Sequence, residues 1–96
     1  MLEANDRNFL DLLGEKIVEL RNQKGISQRE LAYRIGMETS NLSVIENGKS
    51  NPQILTLVKI ASSLNVDLKD ILDLNFDYSN FLEARSTYIP RKHNKK

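Results

Sequence analysis

The sequence predicts an all-α fold of five short helices, and three observations predict it. Apolar residues return every three or four positions, the period of a helix with one buried face. No stretch alternates apolar and polar residues with a strand's period of two. Turn-forming residues interrupt the helical pattern at Lys24–Gly25, at Gly36, at Asn47–Gly48 with Pro52 behind it, and at Asn65.

Each element follows in turn. Leu10, Leu13, Ile17 and Leu20 form one stripe, which predicts a first helix from about Asn8 to Lys24, closed by Gly25 in the left-handed region. Ser27 followed by Glu30 is a capping box, so a second helix begins at about Gln28, carries Leu31, Ala32 and Ile35, and stops at Gly36. A third, Thr39 to Asn47, turns Leu42 and Ile45 inward. After the loop at Pro52, a fourth helix is expected to bury Leu55, Val58, Ala61 (or Ile60) and Leu64, with Asn65 as its C-cap. Asp67 and Asp70 start a fifth helix that holds Leu68, Ile71 and Leu72. The segment Phe76 to Leu82 contains Phe76, Tyr78 and Phe81, and with Tyr88 this region has four of the six aromatics. Aromatics bury large areas, so the segment is read as a short sixth helix or an ordered arm, with disorder from about Tyr88. The expected division is a domain over 1–74, with its core at 13–72, and a C-terminal extension over 75–96.

Composition excludes several functions. Ninety-six residues make one domain, or one domain with a short extension. Such a chain buries only about 60–68% of its unfolded surface, so it has no large stability reserve. The chain has no cysteine, hence no disulfide and no thiolate nucleophile or ligand. Its only imidazole is His93, in the basic tail. With no phosphate-cradling glycine loop and no cluster of metal ligands, an enzyme is not expected, nor a cofactor, a metal or a small-molecule ligand. No apolar run approaches the roughly 20 residues of a membrane span. The start MLEANDRNF lacks a signal peptide's layout. A cytoplasmic location is the expectation.

Charge is less telling. The net charge is only +1, and between Gly14 and Leu74 eight bases face eight acids. From Asn75 onward five bases face two acids. Affinity for nucleic acid would have to come from local placement and from the tail, not from a bulk field.

The segment from Gln28 to Lys49, QRELAYRIGMETSNLSVIENGK, has what two crossed helices need. Ala32 is small enough for close approach, Gly36 can take the positive φ of the turn, and Leu31, Ile35, Leu42 and Ile45 point into a shared core. The chain here resembles the lambda repressor/Cro-like helix-turn-helix family, also called the XRE family. The likeness covers about Leu13 to Leu72, through LGEKIVELR, ISQRELAYRIG, LSVIENGKSNP and LVKIASSLNV. It implies a five-helix domain whose third helix enters the major groove of double-stranded DNA, usually as a homodimer on a two-fold symmetric operator. A transcriptional repressor or autoregulator is the implied role.

The resemblance also assigns residues. Gln28 stands where the family contacts a phosphate, in keeping with the free N–H groups of a helix start; otherwise it is an ordinary exposed glutamine. Thr39, Ser40 and Val44 lie on the outward face of the third helix, with Ser43 at its edge. Hydroxyls suit base edges, and a valine suits a thymine methyl. Glu38 sits at a capping position; its carboxylate favours the helix dipole and suits a cytosine amine, yet repels phosphate. Asn47, the backbone N–H of Gly48, and Lys49 form a loop suited to phosphate, although a plain C-cap also explains Gly48. Asn41 points to the flank and fits either role. Arg21 and Glu46 match residues that form an ion pair between the first helix and the end of the third, a structural role. The tail cations Arg85, Arg91, Lys92, Lys95 and Lys96 either track phosphates or simply solubilise the chain.

One rival keeps this fold but docks protein in place of DNA, for which the near-neutral domain and the aromatic extension speak. A homodimer needs an apolar, self-complementary patch. The candidates are Leu68, Leu72, Leu74, Phe76, Tyr78, Phe81 and Leu82. The alternative is that these aromatics fold back on Phe9 and Leu12 within one chain.

Overall fold

The computed structural model describes residues 4–79. Five α-helices run in chain order: α1 Ala4–Gln23, α2 Gln28–Arg34, α3 Thr39–Glu46, α4 Ile54–Leu64 and α5 Leu68–Ile71. No strand occurs among the described residues. The domain is all-α, as the periodicity predicts. Phe81, Leu82, Tyr88, His93 and the tail cations lie outside the described residues.

Helix α1 starts at Ala4, four residues before the expected Asn8, with Asp6 in its first turn. An acid there is favoured by the helix dipole. Leu10, Leu13, Gly14 and Ile17 are its buried residues, and Gly25 ends it at φ +69°. At the start of α2 the Ser27 hydroxyl accepts from the Glu30 N–H at 3.0 Å. The reciprocal half of the expected capping box is missing. The Glu30 carboxylate instead takes Arg34, with Nε at 3.0 Å and Nη2 at 2.9 Å. Gly36, at φ +70°, makes the turn into α3.

The buried face of α4 differs from the expected one. Leu57, Ile60, Ala61 and Leu64 are buried, whereas Leu55 is 65% and Val58 42% exposed. The helix carries two apolar stripes, so periodicity alone cannot choose between them. Packing against α2 and α5 selects the stripe spaced i, i+3, i+4, i+7 that starts at Leu57. Asn65 caps α4 in the left-handed region, φ 58° and ψ 45°, as its residue type predicts. At α5 the Asp70 carboxylate accepts from the Asp67 N–H at 2.9 Å.

The helices enclose one core of Leu10, Leu13, Ile17, Leu31, Ala32, Leu42, Ile45, Leu57, Ile60, Ala61, Leu64 and Ile71. Helix α1 packs on α3 and α5, α2 on α3 and α4, and α4 on α5. After α5 the chain runs as an arm that enters a 3₁₀ turn at Tyr78 and Ser79, and the rest of the segment read as a short sixth helix or ordered arm lies outside the described residues. The arm folds back on α1: Phe9 meets Phe76 edge-on at 5.3 Å between ring centroids and Tyr78 at 6.4 Å. Phe76 and Tyr78 are themselves 5.1 Å apart. Phe76 and Tyr78 thus meet Phe9 as the fold-back alternative expects, with Phe76 half-buried and Tyr78 still 56% exposed. A turn steadies the arm, in which the Asp77 carboxylate accepts from the Ser79 hydroxyl and N–H.

Candidate nucleic-acid interface

Helix α3 has two chemically distinct faces. Leu42, Ile45 and Glu46 are buried. Thr39, Ser40, Asn41 and Asn47 are exposed, Val44 is 40% exposed, and Ser43 lies half-buried at the edge. The periodicity that sends leucine and isoleucine inward leaves two hydroxyls, two carboxamides and a valine outward. Asn47 Nδ2 donates to Ser43 Oγ at 3.2 Å, linking two of these side chains along the helix. The Glu38 carboxylate stands at the N-cap but makes no capping hydrogen bond.

The inward end of α3 is anchored by charge. Arg21 Nε and Nη2 donate to the two Glu46 carboxylate oxygens at 2.9 and 3.0 Å. Arg21 Nη1 also donates to the Ile26 carbonyl at 3.0 Å. Both side chains are largely withdrawn from solvent, 11% and 4% exposed. A bidentate guanidinium–carboxylate pair fixes orientation as well as distance. Gln28 joins this network, its Nε2 donating to Glu46 at 2.9 Å. The sequence shows no sign of that bond. It leaves Gln28 one N–H and its carbonyl oxygen for other contacts.

Gly14 also holds α3 in place, and only the structure shows how. A Cβ on Gly14 would stand 2.7 Å from the Glu46 carbonyl carbon and 2.8 Å from the Ile45 oxygen. Helix α1 therefore lies directly on the backbone of α3 at this point.

The loop after α3 needs one correction. The Gly48 N–H donates to the Ile45 carbonyl and the Lys49 N–H to the Val44 carbonyl, both at 3.0 Å. The Gly48 N–H is therefore not free for phosphate, because closing the helix end already engages it. The Lys49 ammonium is exposed and makes no ion pair among the described residues. Among the described residues no group of three or more His, Asp or Glu side chains is placed to hold a metal ion.

Two crossed helices over one core, with a small polar face turned outward from the second, define a DNA-reading helix-turn-helix domain. The chain belongs to the helix-turn-helix family, whose model matches residues 17–71, and thus to the non-enzymatic class of DNA-binding transcriptional regulators. It is 40% identical over 63 residues to the HTH-type transcriptional regulator SinR of Bacillus subtilis, a match covering 65% of this chain and 57% of SinR. It is 43% identical over 56 residues to the ImmF control region 10 kDa protein of Bacillus phage phi105, covering 58% of this chain and 62% of that protein. The match thus spans less than two thirds of either relative. Among solved structures, the restriction-modification controller protein C.AhdI from Aeromonas hydrophila superposes with a TM-score of 0.63 at 31% identity, over 65% of this chain and 94% of that one.

Proposed function

We propose that the protein is a sequence-specific regulator that binds a two-fold symmetric operator as a homodimer and represses transcription, including that of its own gene. The observation that carries this reading is the division of α3, with Leu42, Ile45 and Glu46 buried and Thr39, Ser40, Asn41, Val44 and Asn47 turned outward. The outward groups are the hydrogen-bonding and methyl-contacting types that read base edges in the major groove. Gln28, through its remaining donor and acceptor, and Lys49 supply phosphate contacts that position α3 without reading sequence. Glu38, at the groove end of α3, is the candidate reader of a cytosine amine. The names of the relatives, a transcriptional regulator and a control-region protein, support the same role. The operon neighbours of such a regulator set whether it serves a phage, a restriction–modification system or a host switch.

The homodimer follows from the limited information one copy can read. Each mismatched base pair costs about 1–3 kcal/mol, and one short helix meets only a few pairs. Two copies on half-sites roughly 34–36 Å apart double the readout. Phe76 packs on Phe9 and Tyr78 does so with only part of its surface, so the largest contiguous group of exposed aliphatic side chains offered to a second copy is Ile54, Leu55 and Val58 on α4. That exposed stripe also favours a second reading, a protein-docking module of the same fold.

Selection from a random duplex library decides between the two readings. The expected result is an enriched motif with two-fold symmetry, bound with an affinity that falls steeply as salt rises. Recovery of no motif by folded protein would sink the specific-regulator reading.

A further inference from the structure

The turn of α1 that precedes the apolar stripe carries Arg7. Its neighbourhood is set by Gly48, where a Cβ would stand 2.8 Å from the Asp11 Cα and 2.9 Å from the Asp11 nitrogen. The loop after α3 is therefore docked on the backbone of the N-terminal half of α1. Arg7 lies four residues before Asp11, and residues four apart share a helix face. Arg7, Asp11, Asn47, Gly48 and Lys49 accordingly line one open cleft of about 450 Å³.

That cleft continues the outward face of α3. Ser40, Val44 and Asn47 follow one another at i, i+4 and i+7, and Asn47 is itself part of the cleft lining. Arg7 and Lys49 are both exposed, and neither makes an ion pair or hydrogen bond through its side chain among the described residues. Lys16, Arg21 and Arg34 are engaged with Glu19, Glu46 and Glu30, whereas Lys24, Arg29, Lys59 and Lys69 are as unpaired among the described residues as Arg7 and Lys49. What sets these two apart is that they line one cleft beside α3. A cation in the first turns of a helix is also disfavoured by the helix dipole. Arg7 thus has no stabilising role in the fold that would account for it.

We infer that Arg7 and Lys49, which share this cleft with Asn47, bind the phosphate backbone of duplex DNA, extending the interface from the α3–α4 loop onto α1. This rests on reading the protein as a duplex-binding regulator. Arginine suits phosphate through paired N–H donors and lysine as a point charge. Among the described residues Asp11 is the only carboxylate in the lining, and its charge keeps phosphate at the cationic rim. With a net charge of +1, the chain has no bulk field to supply this attraction, and local pairs of unengaged cations must do so.

The test is a salt titration of binding to short random-sequence duplex DNA and to the duplex recovered by selection. Losing one phosphate contact lowers the slope of log affinity against log salt by about 0.9, or about three- to fourfold in affinity between roughly 50 and 200 mM salt. Arg7→Gln should show that loss on both duplexes, with the selected motif and the thermal midpoint unchanged. Arg7→Lys should retain the slope, Asp11→Asn should raise affinity for random duplex, and Lys69→Gln on α5 should change nothing. If Arg7→Gln keeps the parent slope while Lys49→Gln loses it, the inference falls and the regulator reading stands. If the parent protein binds neither duplex, both fall. A slope change accompanied by a lowered midpoint would likewise overturn the role given to Arg7.

Discussion

Glu46 accepts three hydrogen bonds, two from Arg21 and one from Gln28, in a position almost closed to solvent. Removing one partner of a buried pair leaves the other charge uncompensated, which costs about 3–5 kcal/mol. That is a large share of the roughly 5–15 kcal/mol that stabilises a domain. Arg21→Ala and Glu46→Ala should each lower the urea midpoint sharply, while the fraction that folds keeps its base preference. An unchanged midpoint with lost DNA binding would place the pair at the interface instead. Glu38 invites the opposite change. It occupies the N-cap of α3 without a capping bond, and serine there accepts from the helix N–H groups. Glu38→Ser should raise stability by about 0.5–1 kcal/mol and raise affinity for random duplex by removing a negative charge. Loss of a G·C preference at one position of the selected motif would identify Glu38 as a base reader.

At the scale of elements, the contact between α1 and α3 decides the sign of a familiar substitution. Glycine to alanine inside an exposed helix gains up to about 1 kcal/mol. At Gly14 the added methyl meets carbonyl groups of Ile45 and Glu46 at 2.7–2.8 Å, and overpacking costs about 1–3 kcal/mol. Gly14→Ala should therefore destabilise the protein, which thermal denaturation will read directly. The arm after α5 has its own pH signature. The Asp77 carboxylate is held below its ordinary pKa by the Ser79 hydroxyl, and further by the Ser79 N–H. A folded pKa below the unfolded value means that the stabilisation is present above the unfolded value and lost as pH falls through the folded one. The Phe76 and Tyr78 ring signals should shift in that acidic window, and Asp77→Asn should abolish the shift. These elements also show how far the residues alone could be read. The α2–α3 turn and the inward and outward faces of α3 were legible because glycine, small residues and period agree at every position. The buried stripe of α4 was not, since Ile54, Leu55 and Val58 compete with Leu57 and Ile60 for the core and only tertiary packing chooses. The role of Gly14 and the bond from Gln28 to Glu46 were invisible for a related reason. Both depend on contacts across 18 or more residues of chain.

At the scale of the whole molecule, the exposed face of α4 bears on assembly. Ile54 and Leu55 are more than half exposed, and Val58 is 42% exposed one turn further along α4. Single exposed apolar side chains are ordinary, but a contiguous group marks a contact surface. Leu55→Ser with Val58→Ser should shift sedimentation toward the monomer and lower operator affinity while the helical signal stays intact. A parent protein that is monomeric at high concentration and on a two-half-site duplex would rule the homodimer out. Truncation after Asn75, which removes Phe76 and Tyr78 from Phe9, should lower stability more than it affects dimerisation.

The two faces of α3 have a further consequence for the history of such a domain. The side chains that hold the helix in place, Leu42, Ile45 and Glu46, are not the ones turned outward, Thr39, Ser40, Val44 and Asn47. If the outward residues read DNA as proposed, substitutions there can change the sequence recognised one residue at a time without disturbing the side chains that fold the helix. Address and architecture are inherited on opposite sides of the same two turns of helix.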